Sequence, residues 1–127
     1  MRKSAAIPAP RESVEQTRLF QWARLAMGKY PELALMYHIP NGGSRHKLEA
    51  AHLKAQGVRA GVPDICLPVA RGPYHGLYIE LKREDGGKLS ATQSEWLDGL
   101  DRQGYRAVCC HGWERAAEEI QQYMEAG

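Results

Sequence analysis

Residues 61–65, Gly-Val-Pro-Asp-Ile, and residues 78–83, Tyr-Ile-Glu-Leu-Lys-Arg, decide the fold of this chain. Both stretches are short and mainly apolar, which predicts two adjacent β-strands. They nevertheless carry charges on Asp64, Glu80 and Lys82. Because burying charges among apolar strands is costly unless a partner compensates them, these residues predict a functional site.

The register of the two strands follows from the same residues. If Asp64 lies opposite Glu80 in an antiparallel pair, both carboxylates and Lys82 project from the same face of the sheet. The same register gives two apolar pairs, Ile65 with Ile79 and Leu67 with Leu77. A shift by one residue would place the carboxylates on opposite faces, so we expect this register.

The composition is that of one globular domain. The chain has 127 residues, of which 43% are hydrophobic and 25% are charged. A net charge of only +2 excludes a polybasic nucleic-acid coat, so DNA binding would need local clusters of Arg and Lys. We expect a flexible tail over residues 1–11 and a single domain over residues 12–127.

The cysteines and the N-terminus indicate the compartment. Cys66, Cys109 and Cys110 form no metal-binding spacing with the scattered histidines, and their odd number favours free thiols in a reducing cytoplasm. No run of residues has membrane-spanning length, and the N-terminal residues lack the apolar core of a signal peptide. We therefore expect a soluble, intracellular protein.

Hydrophobic spacing and turn residues predict eight elements in the order αβαββαβα. In chain order, the expected helices cover residues 13–27, 46–56, 90–103 and 113–123, and the expected strands cover residues 33–39, 63–69, 77–83 and 105–110. This order predicts an α/β domain with a mixed sheet flanked by helices.

The charged strand residues suit a divalent metal. Asp64 and Glu80 offer hard oxygen donors without Cys or His, which favours Mg²⁺ or Mn²⁺, and the backbone carbonyl of Leu81 lies between them as a third donor. Lys82 would orient the attacking water or stabilise the pentavalent transition state of phosphodiester hydrolysis. The alternative is an ordinary Glu-Lys pair on a solvated edge strand, which contributes little.

Two further residues have competing interpretations. Glu15 lies on the apolar face of the first helix, either as a metal ligand (directly or through water) or as a carboxylate favoured by the helix dipole. Gln93 either belongs to the site or forms a capping box with Ser90, in which its side chain bonds back to the Ser90 amide.

A basic region follows the first predicted strand. Residues 41–45, Asn-Gly-Gly-Ser-Arg, would present backbone amides and a guanidinium to a phosphate, although Asn-Gly-Gly also forms a simple turn. The candidate DNA contacts of this region are Asn41, Gly43, Arg45, Lys47, Lys54 and Arg59. Tyr74 and His75 lie in the loop between the site strands. For these two residues, a plain loop role is as expected as a functional one.

Several motifs together resemble one family. In chain order they are Glu15-Gln16 with Trp22, residues 39–43 (Ile-Pro-Asn-Gly-Gly), Gly57, residues 61–64 (Gly-Val-Pro-Asp), residues 80–82 (Glu-Leu-Lys), and Leu89-Ser90 with Gln93 and Trp96. This pattern resembles the VRR-NUC nucleases of the PD-(D/E)XK superfamily, in particular the small stand-alone members of viral or prophage type that resemble Holliday junction resolvases.

The resemblance implies a restriction-endonuclease-like core and Mg²⁺- or Mn²⁺-dependent cleavage of DNA. It also implies active-site roles for Glu15 and Gln93, metal binding by the Leu81 carbonyl, and a homodimer acting on branched DNA in replication, repair or recombination. Two sites related by a two-fold axis suit a branched substrate that needs symmetric nicks. The alternative function is a catalytically silent DNA-binding subunit that keeps the nuclease fold, which would bind DNA without metal-dependent turnover.

Overall fold

The computed structural model describes residues 11–40 and 47–126, without the side chains of residues 47–49. The expected tail therefore lies, apart from Arg11, outside the described residues. The helices are α1 (Glu12–Ala26), α2 (Lys47–Ala55), α3 (Ala91–Arg102) and α4 (Trp113–Glu125), and the strands are β1 (Tyr37–His38), β2 (Ile65–Leu67), β3 (Leu77–Lys82) and β4 (Arg106–His111). This order is the predicted αβαββαβα.

The strands form one mixed sheet with the order β1-β2-β3-β4. β1, β2 and β3 pair antiparallel, whereas β3 and β4 are parallel and are connected through α3. The predicted register of β2 and β3 is confirmed, since Ile65 pairs with Ile79 and Leu67 with Leu77. Strand β2 is shorter than predicted, and Asp64 lies one residue before its first pair.

Alternation along the strands gives the sheet two different faces. The face that carries Ile65, Leu67, Ile79 and Leu81 is fully buried and belongs to the same core cluster as Leu19 of α1 and Ile120 of α4. We call the opposite face, which carries Tyr37, Cys66, Tyr78, Glu80, Lys82 and Cys109, the site face. Residues of α1 and α4 pack against the core face, whereas the charged residues of β3 lie on the site face.

One predicted strand is wrong in its first half. Pro31–Leu35 forms a 3₁₀ helix, and the strand itself covers only Tyr37–His38. Pro31 fixes a helical φ at the first turn, and the segment buries Leu33 and Met36, three residues apart, instead of alternate residues. A run of apolar residues without charges was therefore mistaken for a strand.

Two other expectations concern the described residues as a whole. Cys66, Cys109 and Cys110 are all free thiols, as predicted. Within residues 11–40 and 47–126, no helix combines the length and the apolar character needed to cross a membrane.

Candidate active site

Glu80 and Asp64 come together at the end of β3. Glu80 is 2% exposed, and its Oε2 accepts a hydrogen bond of 3.1 Å from Gln93 Nε2. Its other oxygen, Oε1, is buried and has no hydrogen-bond donor among the described residues. Oxygen Oδ2 of Asp64 accepts a hydrogen bond of 2.8 Å from the Leu81 amide. The site therefore holds a buried carboxyl oxygen that must either carry a proton or be paired with a cation.

The acidity of Glu80 reflects this environment. Burial, followed by the negative charge of Asp64, raises the pKa of Glu80 to about 8, against an opposing effect of Lys82. A carboxyl group with this pKa keeps its proton at neutral pH. Two carboxyl groups so placed resist ionising together unless a cation lies between them.

Lys82 is the cation of the site. Its side chain is 8% exposed, and its Nζ lies 3.0 Å from Gln93 Oε1 and 3.7 Å from Glu80 Oε2. These contacts fix the ammonium on the same face as Glu80, as the strand alternation predicted. The solvated Glu-Lys pair that was the alternative is excluded, because both side chains are buried.

Gln93 forms the predicted capping box and also contacts the charged residues of β3. The Ser90 hydroxyl accepts a hydrogen bond of 3.1 Å from the backbone amide of Gln93. In return, Gln93 Oε1 accepts a hydrogen bond of 2.9 Å from the backbone amide of Ser90, which completes a capping box. The same Gln93 oxygen also accepts from Lys82, and its amino group donates to Glu80. The start of α3 is thereby tied to the charged end of β3.

The backbone carbonyl of Leu81 points away from β4. The carbonyls of Gly76 and Lys82 accept hydrogen bonds from the amides of Arg106 and Gly112. The backbone groups of the even-numbered residues of β3 therefore face β4, and those of Leu81 face the opposite side. The amide of Leu81, on that side, reaches Asp64. The carbonyl is therefore directed to the side of Asp64, where the prediction needs it.

The loop before Asp64 packs closely against α3. Gly61 has a φ of +91°, and a Cβ built there would lie 2.8 Å from the backbone of Thr92. Trp96 Nε1 donates a hydrogen bond of 3.1 Å to the carbonyl of Ala60. Glycine at position 61 thus allows the strand that carries Asp64 to approach the helix that carries Gln93.

Glu15 contacts the start of α4 in the folded chain. It is 2% exposed, and its Oε1 accepts a hydrogen bond of 3.0 Å from the backbone amide of Trp113, the first residue of α4. Such a contact satisfies an otherwise unpaired amide at a helix N-terminus. The metal role of Glu15 stays a prediction. The contact that the structure shows for Glu15 joins α1 to the start of α4.

Glu12 is a residue that the sequence analysis missed. Its negative charge contributes to the raised pKa of Glu80 and to that of Cys109, after burial and the nearer charges. A Cβ built at Gly87 would lie 3.4 Å from Lys82 Cδ and 3.7 Å from Glu12 Oε2, so the Glu12 carboxylate borders the site. The available signal was its place three residues before Glu15, on the same helix face.

The predicted DNA contacts are only partly described. Lys54 and Arg59 are exposed, as contacts with a phosphate backbone require. Asn41, Gly43, Arg45 and the side chain of Lys47 lie outside the described residues. Within the described residues, no group of three His, Cys, Asp or Glu side chains is placed to hold a metal. Asp64 and Glu80 would therefore need backbone or water ligands beside them.

A four-stranded mixed sheet flanked by helices, with this carboxylate and lysine cluster at the end of β3, defines an α/β protein consistent with a restriction-endonuclease-like core. The VRR-NUC domain model matches residues 3–114. A solved structure titled "VRR_NUC domain protein" is 33% identical with a TM-score of 0.82, over 94% of this chain and 93% of the other. No curated protein matches significantly. The chain belongs to the VRR-NUC family of nucleases.

Proposed function

We propose that this protein is a DNA endonuclease of the PD-(D/E)XK type that depends on Mg²⁺ or Mn²⁺ and selects branched DNA. The observation that carries the proposal is the buried Glu80 Oε1, which has no donor among the described residues and lies in a site shared with Asp64. Buried polar atoms without partners are rare in folded proteins and call for a ligand.

The residues present fit a hard divalent cation. Asp64 and Glu80 would hold it, with the Leu81 carbonyl and water completing an oxygen-only set, which suits Mg²⁺ and Mn²⁺. A cation there would give Glu80 Oε1 a partner and offset the repulsion that raises the pKa of Glu80. When bound, it would supply positive charge at the scissile phosphate and make a neighbouring water more acidic.

Lys82 would act on the phosphate itself. Its ammonium is fixed by Gln93 at 3.0 Å, so little reorganisation is needed when charge develops in the transition state. Lys82 would donate hydrogen bonds either to the attacking water or to a phosphate oxygen. Gln93 is then a positioning residue, because it contacts Lys82 and Glu80 instead of the substrate.

Selectivity for branched DNA would come from pairing two sites. One domain of 127 residues offers a small footprint, and a homodimer would present two active sites to two strands related by symmetry. Lys54 and Arg59, both exposed, would contribute backbone contacts. Light scattering at several protein concentrations tests the dimer, and a monomer that cleaves junctions symmetrically would contradict it.

A cleavage panel tests the enzyme. Four-way junctions, flaps and linear duplex are incubated with the protein and Mn²⁺, and the nicks are mapped on each strand. Lys82→Ala should abolish cleavage, while Lys29→Ala, which removes the same charge at an exposed position, should not. Absence of cleavage on every substrate, together with salt-dependent binding, would instead identify the silent DNA-binding subunit.

A further inference from the structure

A row of tyrosines crosses the site face next to the carboxylates. Tyr37 pairs with Cys66, and Cys66 with Tyr78, so the two tyrosine side chains project from the same face of β1 and β3. The ring of Tyr105, the residue just before β4, lies 5.4 Å from that of Tyr78 at an angle of 77°. We call Tyr37, Tyr78 and Tyr105 the tyrosine row.

The tyrosine row is more accessible than the core face of the same sheet. Tyr37 is 49% exposed, which is high for a large side chain on a paired strand. Tyr78 and Tyr105 are partly exposed, whereas Ile79 and Leu81 on the core face are 1% exposed. Each row member thus combines an aromatic surface open to solvent with a rigid place on the sheet.

Local sequence keeps this surface open. Gly76 lies beside Tyr105, and a Cβ built there would come within 3.4 Å of the Tyr105 ring. The His75 ring continues the aromatic surface, 5.7 Å from Tyr105 in an edge-on arrangement. A Cβ at position 76 would touch the ring and lie 3.2 Å from the Leu67 carbonyl oxygen, so glycine gives the Tyr105 ring room beside the backbone.

The tyrosine row is also close to the candidate active site. Tyr78 precedes Glu80 by two residues on the same face, a separation of about 7 Å along a strand. Cys66 has the same relation to Asp64. A strand of DNA whose scissile phosphate lies at Glu80 would therefore have its next nucleotides over the tyrosine row.

The charge state of the tyrosines suits a polyanion. Phenols ordinarily ionise only at about pH 10, so tyrosine rings carry no charge at physiological pH and do not repel phosphate. Neutral aromatic rings on a sheet are a surface on which unpaired bases stack irrespective of sequence.

We propose that the tyrosine row is a stacking platform for the unpaired bases of a single-stranded DNA segment that leads into the site at Glu80. The inference rests on the proposed function and narrows its substrate to DNA with unpaired nucleotides beside the cleaved bond. Double-stranded DNA cannot use the platform, because its bases are already stacked on one another.

Binding without cleavage provides the test. Fluorescein-labelled oligothymidylate and a duplex of equal length are titrated with the full chain in EDTA, and anisotropy gives both affinities. Tyr37→Ala should weaken single-strand binding about 10- to 100-fold, as expected for one lost stacking contact, and leave duplex binding unchanged. Tyr37→Phe keeps the ring and should bind nearly as well as the wild type. Leu35→Ala, at an apolar side chain that is 56% exposed, is the matched control and should change nothing.

The results separate the platform from the nuclease. Equal single-strand affinities for Tyr37→Ala and the wild type, or an equal loss for duplex, would overturn the platform even if Mn²⁺-dependent cleavage is found. A loss of single-strand affinity in Tyr37→Ala, with unchanged duplex affinity, would support the platform even if no substrate is cleaved. In that case only the proposed nuclease activity would be contradicted. As a second readout, 2-aminopurine in the oligonucleotide should be quenched by the wild type and by Tyr37→Phe but not by Tyr37→Ala.

Discussion

The side-chain oxygen of Gln93 lies 3.0 Å from the ammonium of Lys82. The same side chain donates to Glu80 through its nitrogen, so one amide spans the two charged groups of β3. An amide can do this because it carries a donor and an acceptor on the same planar group. Its own position is fixed by the capping box with Ser90, which makes the start of α3 part of the site.

Replacing Gln93 with Ala should therefore slow cleavage without weakening DNA binding. Without the amide, the Lys82 ammonium is free to turn away from the scissile phosphate, and misplacing a catalytic group can cost about 10²-fold in rate. Single-turnover cleavage of a junction and anisotropy in EDTA measure the two quantities separately.

Ser90→Ala is the matched control for Gln93→Ala. It removes the hydroxyl that caps α3 but leaves the Gln93 contacts with Lys82 and Glu80 in place. We expect a stability loss of about 0.5–2 kcal/mol, typical of a lost N-cap, with little change in rate. If Ser90→Ala slows cleavage as much as Gln93→Ala does, the Gln93 effect comes from helix capping and not from positioning.

The metal-free protein should become less stable as the pH rises, because of Glu80. Burial and the charge of Asp64 raise its pKa from 4.5 to about 8. Below the lower value, both the folded and the unfolded chain carry the proton. Between the two values, only the unfolded chain releases it, so the folded state loses stability through this window.

Glu80→Gln cannot ionise and should escape that loss. Melting temperatures in EDTA should be similar for the variant and the wild type near the lower pKa of 4.5, and the variant should be the more stable one near pH 8. Glu95→Gln, at an exposed position, should follow the wild type at every pH. Adding Mn²⁺ at the higher pH should stabilise the wild type and not Glu80→Gln. A constant difference between Glu80→Gln and the wild type across the pH range would contradict the raised pKa.

Glu15 and Glu12 should separate stability from metal dependence. Glu15→Ala leaves the Trp113 amide without its acceptor, which should cost about 1–3 kcal/mol of unfolding free energy, measured with urea. Glu15→Gln keeps an oxygen acceptor and should retain most of the stability and the normal Mn²⁺ requirement. Glu12→Gln, at an exposed position near Gly87 on the border of the site, should change the Mn²⁺ requirement with little effect on stability. An increased Mn²⁺ requirement in Glu15→Gln would instead support a metal role for Glu15.

The parts of the fold that the sequence predicted best are those governed by a short repeat. The alternation of residues in β2 and β3 determined their register, because a shift of one residue exposes every apolar side chain. The 3₁₀ helix at Pro31–Leu35 was missed, since a run of apolar residues has no period that separates a buried turn from a strand.

The site was predictable where its members are close in sequence. Glu80 and Lys82 share a face because they are two residues apart, and Gln93 is reached through the capping box that follows. The helical spacing of apolar residues also placed Glu15 on the inward face of α1. This spacing does not indicate which element of the fold that face contacts. Only the folded chain brings the start of α4 to Glu15 and places the Glu12 carboxylate near Gly87, at the border of the site.

Gly61→Ala should impair both stability and cleavage, and Gly57→Ala should impair stability alone. Both glycines have a positive φ, +91° at Gly61 and +105° at Gly57, which any other residue adopts only at a cost of about 1–2 kcal/mol. They differ in their surroundings. A Cβ at position 57 meets no atom within 4 Å, whereas one at position 61 would lie 2.8 Å from the Thr92 backbone.

The Gly61 variant must therefore move the loop before Asp64 away from α3, and this movement separates Asp64 from the helix that carries Gln93. We expect backbone strain to lower the melting temperature in both variants. Only Gly61→Ala should show a further loss of stability and a lower cleavage rate. Equal cleavage rates in the two variants would show that the approach of this loop to Thr92 is not needed to bring Asp64 into the site.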